Sequence, residues 1–549
     1  MTGADILVQG LRAHGIEFLS IVCGNGLSPL LDACRRADFP VIDTRTEYGA
    51  AYLADAYARL TGKVAVVAVS SGIAHSNAFT GLMNAWFDGT PILLLTGESA
   101  RDGADTGAFQ EFDHSGLAAP LCKYSARVEH PAQIDNCLNE ALARAVAGRP
   151  GPVQLSIPAS VTGAAVAGSA PPTRLVPARV PAGGAPDPAL IDAATNLLAG
   201  SQRPLIVAGS GVFYAGAGES LVDLVHQLPA PLTVPIWERG CIDEAEDNFV
   251  GVIGAVTGGP ELLAQADLVL IAGAQVDYRL GRALPPAVDP AATLIRTDAD
   301  PAQLQQGVTP DLAISADPGA VLAALADQLR GSDSVARAAW LDLAKETNDT
   351  FRARFAAPLA EDEPMTGHHL VEALRPYAED PDCTFLIDGG NIGQWAHQVL
   401  ADRYPARWLT CGASGVIGWG IPGALGARLA RPEGPVILLT GDGSVHFGIP
   451  EIEPAVRHDL PFVAVIADDR AWGIVLTEQK KAFGGEGVTA SLIGPVAYAG
   501  VAVAYGARGA IAHDIAGLRY ALDAGIESAC PTIIHAPIQT GGPTELTCG

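Results

Sequence analysis

Several things are scarce in this chain, and each scarcity removes a class of function. Apolar runs such as Val64 to Val69 and Val436 to Leu439 stay far below the ~20 residues that a membrane-spanning helix needs, so no membrane partner is expected. Cations are outnumbered: 34 Lys and Arg stand against 60 Asp and Glu, a formal net charge of -26 without any basic block, which excludes a nucleic-acid partner. Close cysteine pairs are missing. Cys23, Cys34, Cys122, Cys137, Cys241, Cys383, Cys411, Cys530 and Cys548 are scattered singly, which argues against zinc or redox motifs and for reduced thiols. The amino end also lacks a basic segment followed by an apolar core; Asp5 lies in an amphipathic pattern of Ile6, Leu7 and Leu11, so a cytoplasmic protein is expected.

What the chain does have is apolar content. Hydrophobic residues make up 49% and charged residues 17%, the balance of a folded chain, and 549 residues exceed what one core can hold. Short β-branched runs alternate with Ala- and Leu-rich amphipathic stretches, the pattern of parallel sheets covered by helices. The class is therefore α/β. Two segments interrupt the alternation: Val161 to Pro188, rich in Pro, Gly and Ala, and a charged helical stretch from Ser332 that ends in Ala360 to Pro364. They divide the chain into three doubly wound units, 1–165, 186–330 and 362–549. Strands are expected at Phe18 to Cys23, Val64 to Val69 and Ile92 to Thr96 in the first, at Pro204 to Ala208 and Leu268 to Ala272 in the second, and at Thr384 to Ile387, Val436 to Leu439 and Phe462 to Ile466 in the third.

The segment Leu438 to Gly473 carries the strongest chemical signal. An apolar strand runs into Gly441-Asp442-Gly443-Ser444, and a second ends at Asp468-Asp469. Both acidic groups fall at the carboxyl ends of strands, where open α/β sheets bind ligands. Glycines at 441 and 443 permit close backbone approach, and the amides of Gly443 and Ser444 can point at a phosphate. A diphosphate beside two carboxylates needs a hard cation between them, a role that suits Mg2+. A lone G-D-G would be no more than a capped turn. Here Asp469 follows 27 residues after Asp442, and three further segments accompany the pair. They are Thr44 to Lys63 with Glu47, Gly412 to Ala430, and Asp388-Gly389-Gly390-Asn391-Ile392, each of which read alone is an ordinary helix start or turn.

Together these segments, in this order over nearly the entire chain, resemble the thiamine-diphosphate-dependent enzymes. Arg149-Pro150-Gly151-Pro152-Val153 fits the same family order, and Gly81 to Gly97 and Gly107-Ala108-Phe109-Gln110-Glu111 agree most closely with the acetolactate synthase-like branch. The resemblance implies three domains: pyrimidine-binding, middle, and diphosphate-binding. It assigns Mg2+ to the side chains of Asp442 and Asp469 and the carbonyl of Ala471, and the cofactor to Gly390, Asn391, Gly443 and Ser444. Ile417 would support the bent cofactor from below, and the Gly415 carbonyl would receive its exocyclic amine. Glu47 would be the acid that hydrogen-bonds the pyrimidine ring nitrogen and so activates the cofactor. Phe109 and Gln110 would line the site from the first domain. The family builds its site between the first domain of one subunit and the third of another, so a homodimer or homotetramer is implied.

The sequence also departs from the pattern. Asp468 and Asp469 replace two asparagines, a change that keeps oxygen donors for a divalent cation. Where relatives read S-G-P-G-x-T-N, this chain has Ser71-Gly72-Ile73-Ala74-His75-Ser76-Asn77, which makes His75 a candidate proton donor; His114 and His446 lie in similarly suggestive segments. Flavin-binding members carry a stretch like R-F-D-D-R in the middle domain. Gln275-Val276-Asp277-Tyr278-Arg279 lacks the first Arg, so FAD is not expected. A nicotinamide dehydrogenase is disfavoured because Tyr214 stands where the third glycine of a G-x-G-x-x-G turn belongs. The resemblance implies an enzyme for small carbonyl substrates that joins a 2-oxo acid-derived enamine to a carbonyl acceptor. Its alternatives are a lyase or 2-oxo acid decarboxylase, and a non-catalytic cofactor-binding paralogue, against which the presence of Glu47 argues.

Overall fold

Three six-stranded parallel sheets organise the chain in the computed structural model, which describes residues 1–103, 106–166, 183–254, 261–332, 334–354 and 365–543. The first sheet runs, edge to edge, Val41–Asp43, Leu19–Ile21, Ala65–Val69, Ile92–Glu98, Val153–Pro158 and Ser125–Arg127. The third runs Trp408–Thr410, Thr384–Ile387, Val436–Gly441, Val463–Asp468, Thr532–Pro537 and Arg508–Ile511. Both have the chain order 2-1-3-4-6-5. The middle sheet instead runs Leu312–Ser315, Thr293–Asp298, Leu268–Ala272, Pro204–Ala208, Leu232–Pro235 and Phe249–Ile253. Every expected strand is present. Residues 167–182 of the Pro- and Gly-rich connection and 355–364 at the end of the charged one lie outside the described residues, whereas the charged stretch after Ser332 forms the helix Val335–Ala353.

The central strands are buried on both faces because their runs of Val, Ile, Leu and Ala are covered by helices on each side. Small residues set the distance between the first and third units. The helix Glu47–Thr61, capped by Thr46 at its start and closed by Gly62 in the left-handed region, packs on the helix Gly420–Ala430 so closely that a Cβ on Gly426 would meet the Leu53 carbonyl oxygen at 2.1 Å. One apolar core consequently runs through both units, joining Leu53, Ala54 and Tyr57 to Trp419, Leu425 and Leu438. Among the described residues no helix is long and apolar enough to cross a membrane.

In each order the chain leaves two neighbouring strands in opposite directions, and such switch points are where open parallel sheets take ligands. In the third sheet the switch lies between Thr384–Ile387 and Val436–Gly441, the strands that lead into Asp388–Asn391 and Gly441–Ser444.

Candidate active site

At that switch point a cavity of about 220 Å3 opens, and its lining gathers eight of the residues singled out in the sequence: Gly390, Asn391, Ile417, Asp442, Gly443, Ser444, Asp469 and Ala471. Two cross-links hold the loops in register. Ser444 Oγ donates to the Gly389 carbonyl at 2.9 Å, and buried Asp388 accepts from the Gly389 amide at 2.8 Å and from Thr440 Oγ1 at 2.9 Å. Gly443 and Ser444 stand in the first turn of the helix Asp442–Gly448, where backbone amides lack intrahelical acceptors. Only glycine fits at 443, since a Cβ there would meet the Trp472 ring at 2.7 Å.

The cavity crowds buried carboxyls together. Burial pushes the Asp442 carboxyl up to about 8, and the neighbouring Asp469 and Asp468 charges push the same way. Asp442 Oδ1 accepts its neighbour's amide, while Oδ2 is buried without a partner; Asn391 Oδ1 is likewise unpartnered. Asp469 is raised by burial too, and it accepts from Asn391 Nδ2 at 3.1 Å and from the Ala471 amide at 3.2 Å. Uncompensated carboxylates with an unpaired buried oxygen fit a divalent cation. Among the described residues no group of three or more His, Cys, Asp or Glu side chains could hold a metal alone, so a cation bound here would share its coordination with backbone and ligand oxygens.

The remaining expected residues lie elsewhere. Glu47 opens its helix half-buried and accepts from Asn77 Nδ2 at 3.1 Å. Phe109 is 70% exposed, and Gln110 accepts from Ser71 Oγ at 3.0 Å. None of these three lines the cavity that holds Asp442, nor does Gly415, which has a positive φ of 67° in the loop before the helix Gly420–Ala430. His75 is fully buried. One ring nitrogen bonds Thr96 Oγ1 at 2.7 Å and the other the His114 carbonyl at 3.0 Å, and burial, with His114 beside it, pushes it down to about 4. It is thus a neutral internal strut with no nitrogen left for a ligand. His114 accepts the Gly72 amide on Nε2 at 2.8 Å and meets Glu98 through Nδ1 at 3.0 Å, so it holds the loop that carries Ser71. His446 is exposed and bonds Tyr498 Oη at 3.0 Å.

Two groups were not singled out in the sequence. Trp472 walls the cavity beside Gly443. Glu451, wholly buried, accepts from the Arg45 amide at 2.9 Å and from Thr46 Oγ1 at 2.7 Å, and thereby pins the start of the Glu47 helix to the third unit. The Ala-Trp-Gly run after Asp469 was a local signal for Trp472; nothing local marks Glu451, whose partners lie about 400 residues away.

Comparison with known proteins agrees with the three-unit fold. The family model described as "Thiamine pyrophosphate enzyme, N-terminal TPP binding domain" matches residues 1–117, the central-domain model 191–325 and the C-terminal TPP binding domain model 388–536. The acetolactate synthase large subunit of Parasynechococcus marenigrum (strain WH8102) is 30% identical, over 98% of this chain and 88% of its own length. Acetolactate synthase isozyme 1 large subunit of Escherichia coli (strain K12) is 29% identical over 98% of this chain and 94% of its own. The 2-hydroxyacyl-CoA lyase 2 of Homo sapiens is 30% identical over 92% and 84%. With three matching domains in order and relatives 29–30% identical over nearly its whole length, the chain belongs to the thiamine pyrophosphate enzyme family, in its acetolactate synthase-like branch.

Proposed function

We propose that the protein is a thiamine-diphosphate- and Mg2+-dependent carboligase that joins a fragment of a 2-oxo acid to a second carbonyl compound. The observation that carries this reading is the cavity in which Asp442 Oδ2 is buried unpartnered beside Asp469 and the first turn of the helix Asp442–Gly448. When bound, thiamine diphosphate supplies a carbon acid beside a cationic nitrogen, able to add to a carbonyl and to hold the electron pair of a broken carbon–carbon bond. Asp442, Asp469 and the Ala471 carbonyl would hold Mg2+; Gly390, Asn391, Gly443 and Ser444 would take the diphosphate. Ile417 and the Gly415 carbonyl would keep the cofactor bent, and Glu47 would hold a proton against its pyrimidine ring nitrogen. Phe109 and Gln110 would line the side where substrate enters. Eight unpaired cysteines among the described residues support a reducing, cytoplasmic setting.

We also propose that each site is completed by a second copy of the chain. Glu47, Phe109 and Gln110 do not line the cavity of their own chain, and Ile73, Phe109 and Phe112 leave apolar surface exposed at the carboxyl end of the first sheet. A homodimer or homotetramer covers that surface.

The reaction is tested by supplying pyruvate with thiamine diphosphate and Mg2+, with and without an aldehyde or ketone acceptor. A carboligase releases CO2 and forms a product that joins the two-carbon remainder of pyruvate to the acceptor. The second reading, a lyase, is favoured by the human relative; cleavage of a 2-hydroxyacyl-CoA without any acceptor, and no joined product, would establish it instead.

A further inference from the structure

The middle sheet has its own switch point, between Pro204–Ala208 and Leu268–Ala272, and the turns there are Gly209-Ser210-Gly211 and Gly273-Ala274. In a dinucleotide-binding sheet such turns leave amides free and a gap for a diphosphate. Here neither is left. The Gly209 amide donates to the Ala272 carbonyl at 3.0 Å, Gly211 to Gly273 at 2.8 Å, and Gly273 to Thr297 at 2.9 Å. Gly211 and Gly273 pack backbone on backbone, so that a Cβ on either would meet the other's Cα at 2.7 Å.

The one donor set that still points outward is taken by a side chain of the protein itself. Glu238, 6% exposed, accepts on Oε2 from the Ser210 amide at 2.9 Å and from Ser210 Oγ at 2.5 Å. On Oε1 it accepts from Arg279 Nη2 at 3.0 Å and from the Gln275 amide at 3.3 Å. Two amides, a hydroxyl and a guanidinium converging on one anion are the donors a phosphate would use. Arg279 is committed further, to Asp277 at 2.8 Å and to the Ile236 carbonyl at 2.9 Å. Beside this group the cleft between the units measures about 110 Å3, half the cavity at the third switch point, and carboxylates of Asp88, Asp298 and Asp317 also line it. Its other cation, Arg149, is turned to the carbonyls of Trp86 and Phe87.

We infer that Glu238 is a built-in anion that fills the phosphate seat of the middle unit and closes it to dinucleotides. The flavin that some members of the family hold in this unit does not fit here: its diphosphate would have to displace a buried carboxylate that already has four donors, in a cleft whose remaining acids repel it. This inference stands independently of the reaction the protein catalyses.

The test uses the full-length enzyme with thiamine diphosphate and Mg2+ present, titrated with FAD and separately with ADP and followed by melting temperature and calorimetry. Wild type is expected to purify colourless and to show no shift with either nucleotide. Glu238→Ala empties the seat beside Arg279 and is expected to bind ADP about tenfold or more tighter than wild type. If Glu238→Ala does not fold, Glu238→Ser, which also empties the seat but keeps a polar group there, is expected to gain ADP affinity in the same direction. Micromolar binding of FAD or ADP by wild type overturns the inference. So does a folded variant of either kind whose ADP affinity stays at the wild-type level.

Discussion

The first and third units share one strand order, yet their switch points are finished differently. In the third, Ser444 and Thr440 tie the loops after Ile387 and Val436–Gly441 together, yet a cavity of about 220 Å3 remains that holds Asp442 with an unpartnered buried oxygen. In the first, the corresponding loops are tied together too: Asn25 Nδ2 donates to Ser71 Oγ at 3.1 Å and to Ser99 Oγ at 2.9 Å, and Ser71 donates to Gln110. One unit offers a receptacle for a charged group; the other ties Asn25, Ser71 and Gln110 into a polar network rimmed by exposed Ile73 and Phe109, with a separate cavity of about 350 Å3 lined by Ser99, Gln110 and His114. Identical topology thus leaves function undecided, and loop chemistry decides it. The two surfaces are complementary halves of a site if a second chain brings them together.

The largest effect that would sharpen this division of labour is expected from Glu47→Gln. The amide fills the same space but cannot share a proton with a ring nitrogen, so exchange of the cofactor's thiazolium proton should slow by about 10²–10⁴-fold with the melting temperature little changed. Acid-quenched NMR reads that exchange directly, and wild-type rates would remove Glu47 from the chemistry. Next in size, Asp442→Ala and Asp469→Ala should each weaken Mg2+-dependent cofactor binding by at least the ~10–100-fold that loss of a supporting metal contact costs. Asp469→Asn should be milder because it keeps an oxygen donor. Calorimetry showing unchanged affinity in both alanine variants would empty the third unit of its assigned role.

A smaller effect concerns pH. Because Asp442 is raised from 3.8 to about 8, the folded metal-free protein holds this proton more tightly than the unfolded chain does. Its contribution to stability is fully present below pH 3.8 and is lost as pH rises towards about 8. The metal-free melting temperature of wild type should therefore fall across that window more steeply than that of Asp442→Asn, and Mg2+ with cofactor should reverse the loss. Equal slopes in the two proteins would contradict it. The smallest effect belongs to the first unit. His75 is lowered from 6.5 to about 4, so its contribution is present above pH 6.5 and is lost as pH falls towards about 4. His75→Gln should flatten that acid-side loss in thermal melts while leaving the pH profile of turnover between about pH 5 and 8 unchanged. A lost limb in the profile would restore His75 as a proton donor.

The third unit was readable in the sequence because its chemistry is local. A buried strand, two glycines and an acid within a few residues make most of the cavity wall, and the apolar runs that mark the strands are uninterrupted. The three sheets were readable for the same reason. The first unit was not, because its partners are distant: His114 reaches Gly72, Glu98 meets both His114 and Arg127, and Glu451 clamps Thr46 from the other end of the chain. His75 illustrates the cost. Its residue type suggested chemistry, whereas burial against Thr96 and His114, which no spacing reveals, makes it neutral. Glu238 was invisible in the same way, since its four donors come from two connections 28 or more residues away in sequence.

The claim that the two unlike switch points belong to one site, contributed by two chains, is tested most directly by mixing two inactive proteins. Glu47→Gln damages only the first unit and Asp442→Ala only the third. In a mixed dimer built as proposed, one site carries both substitutions and the other carries neither. Random exchange of equal amounts should then restore about a quarter of the wild-type rate of thiazolium proton exchange, half the dimers being mixed and half of their sites intact. Exchange that stays at the level of the separate variants after subunit mixing, verified by mass spectrometry of the mixed dimer, would contradict the account by showing that Glu47 and Asp442 serve the same chain.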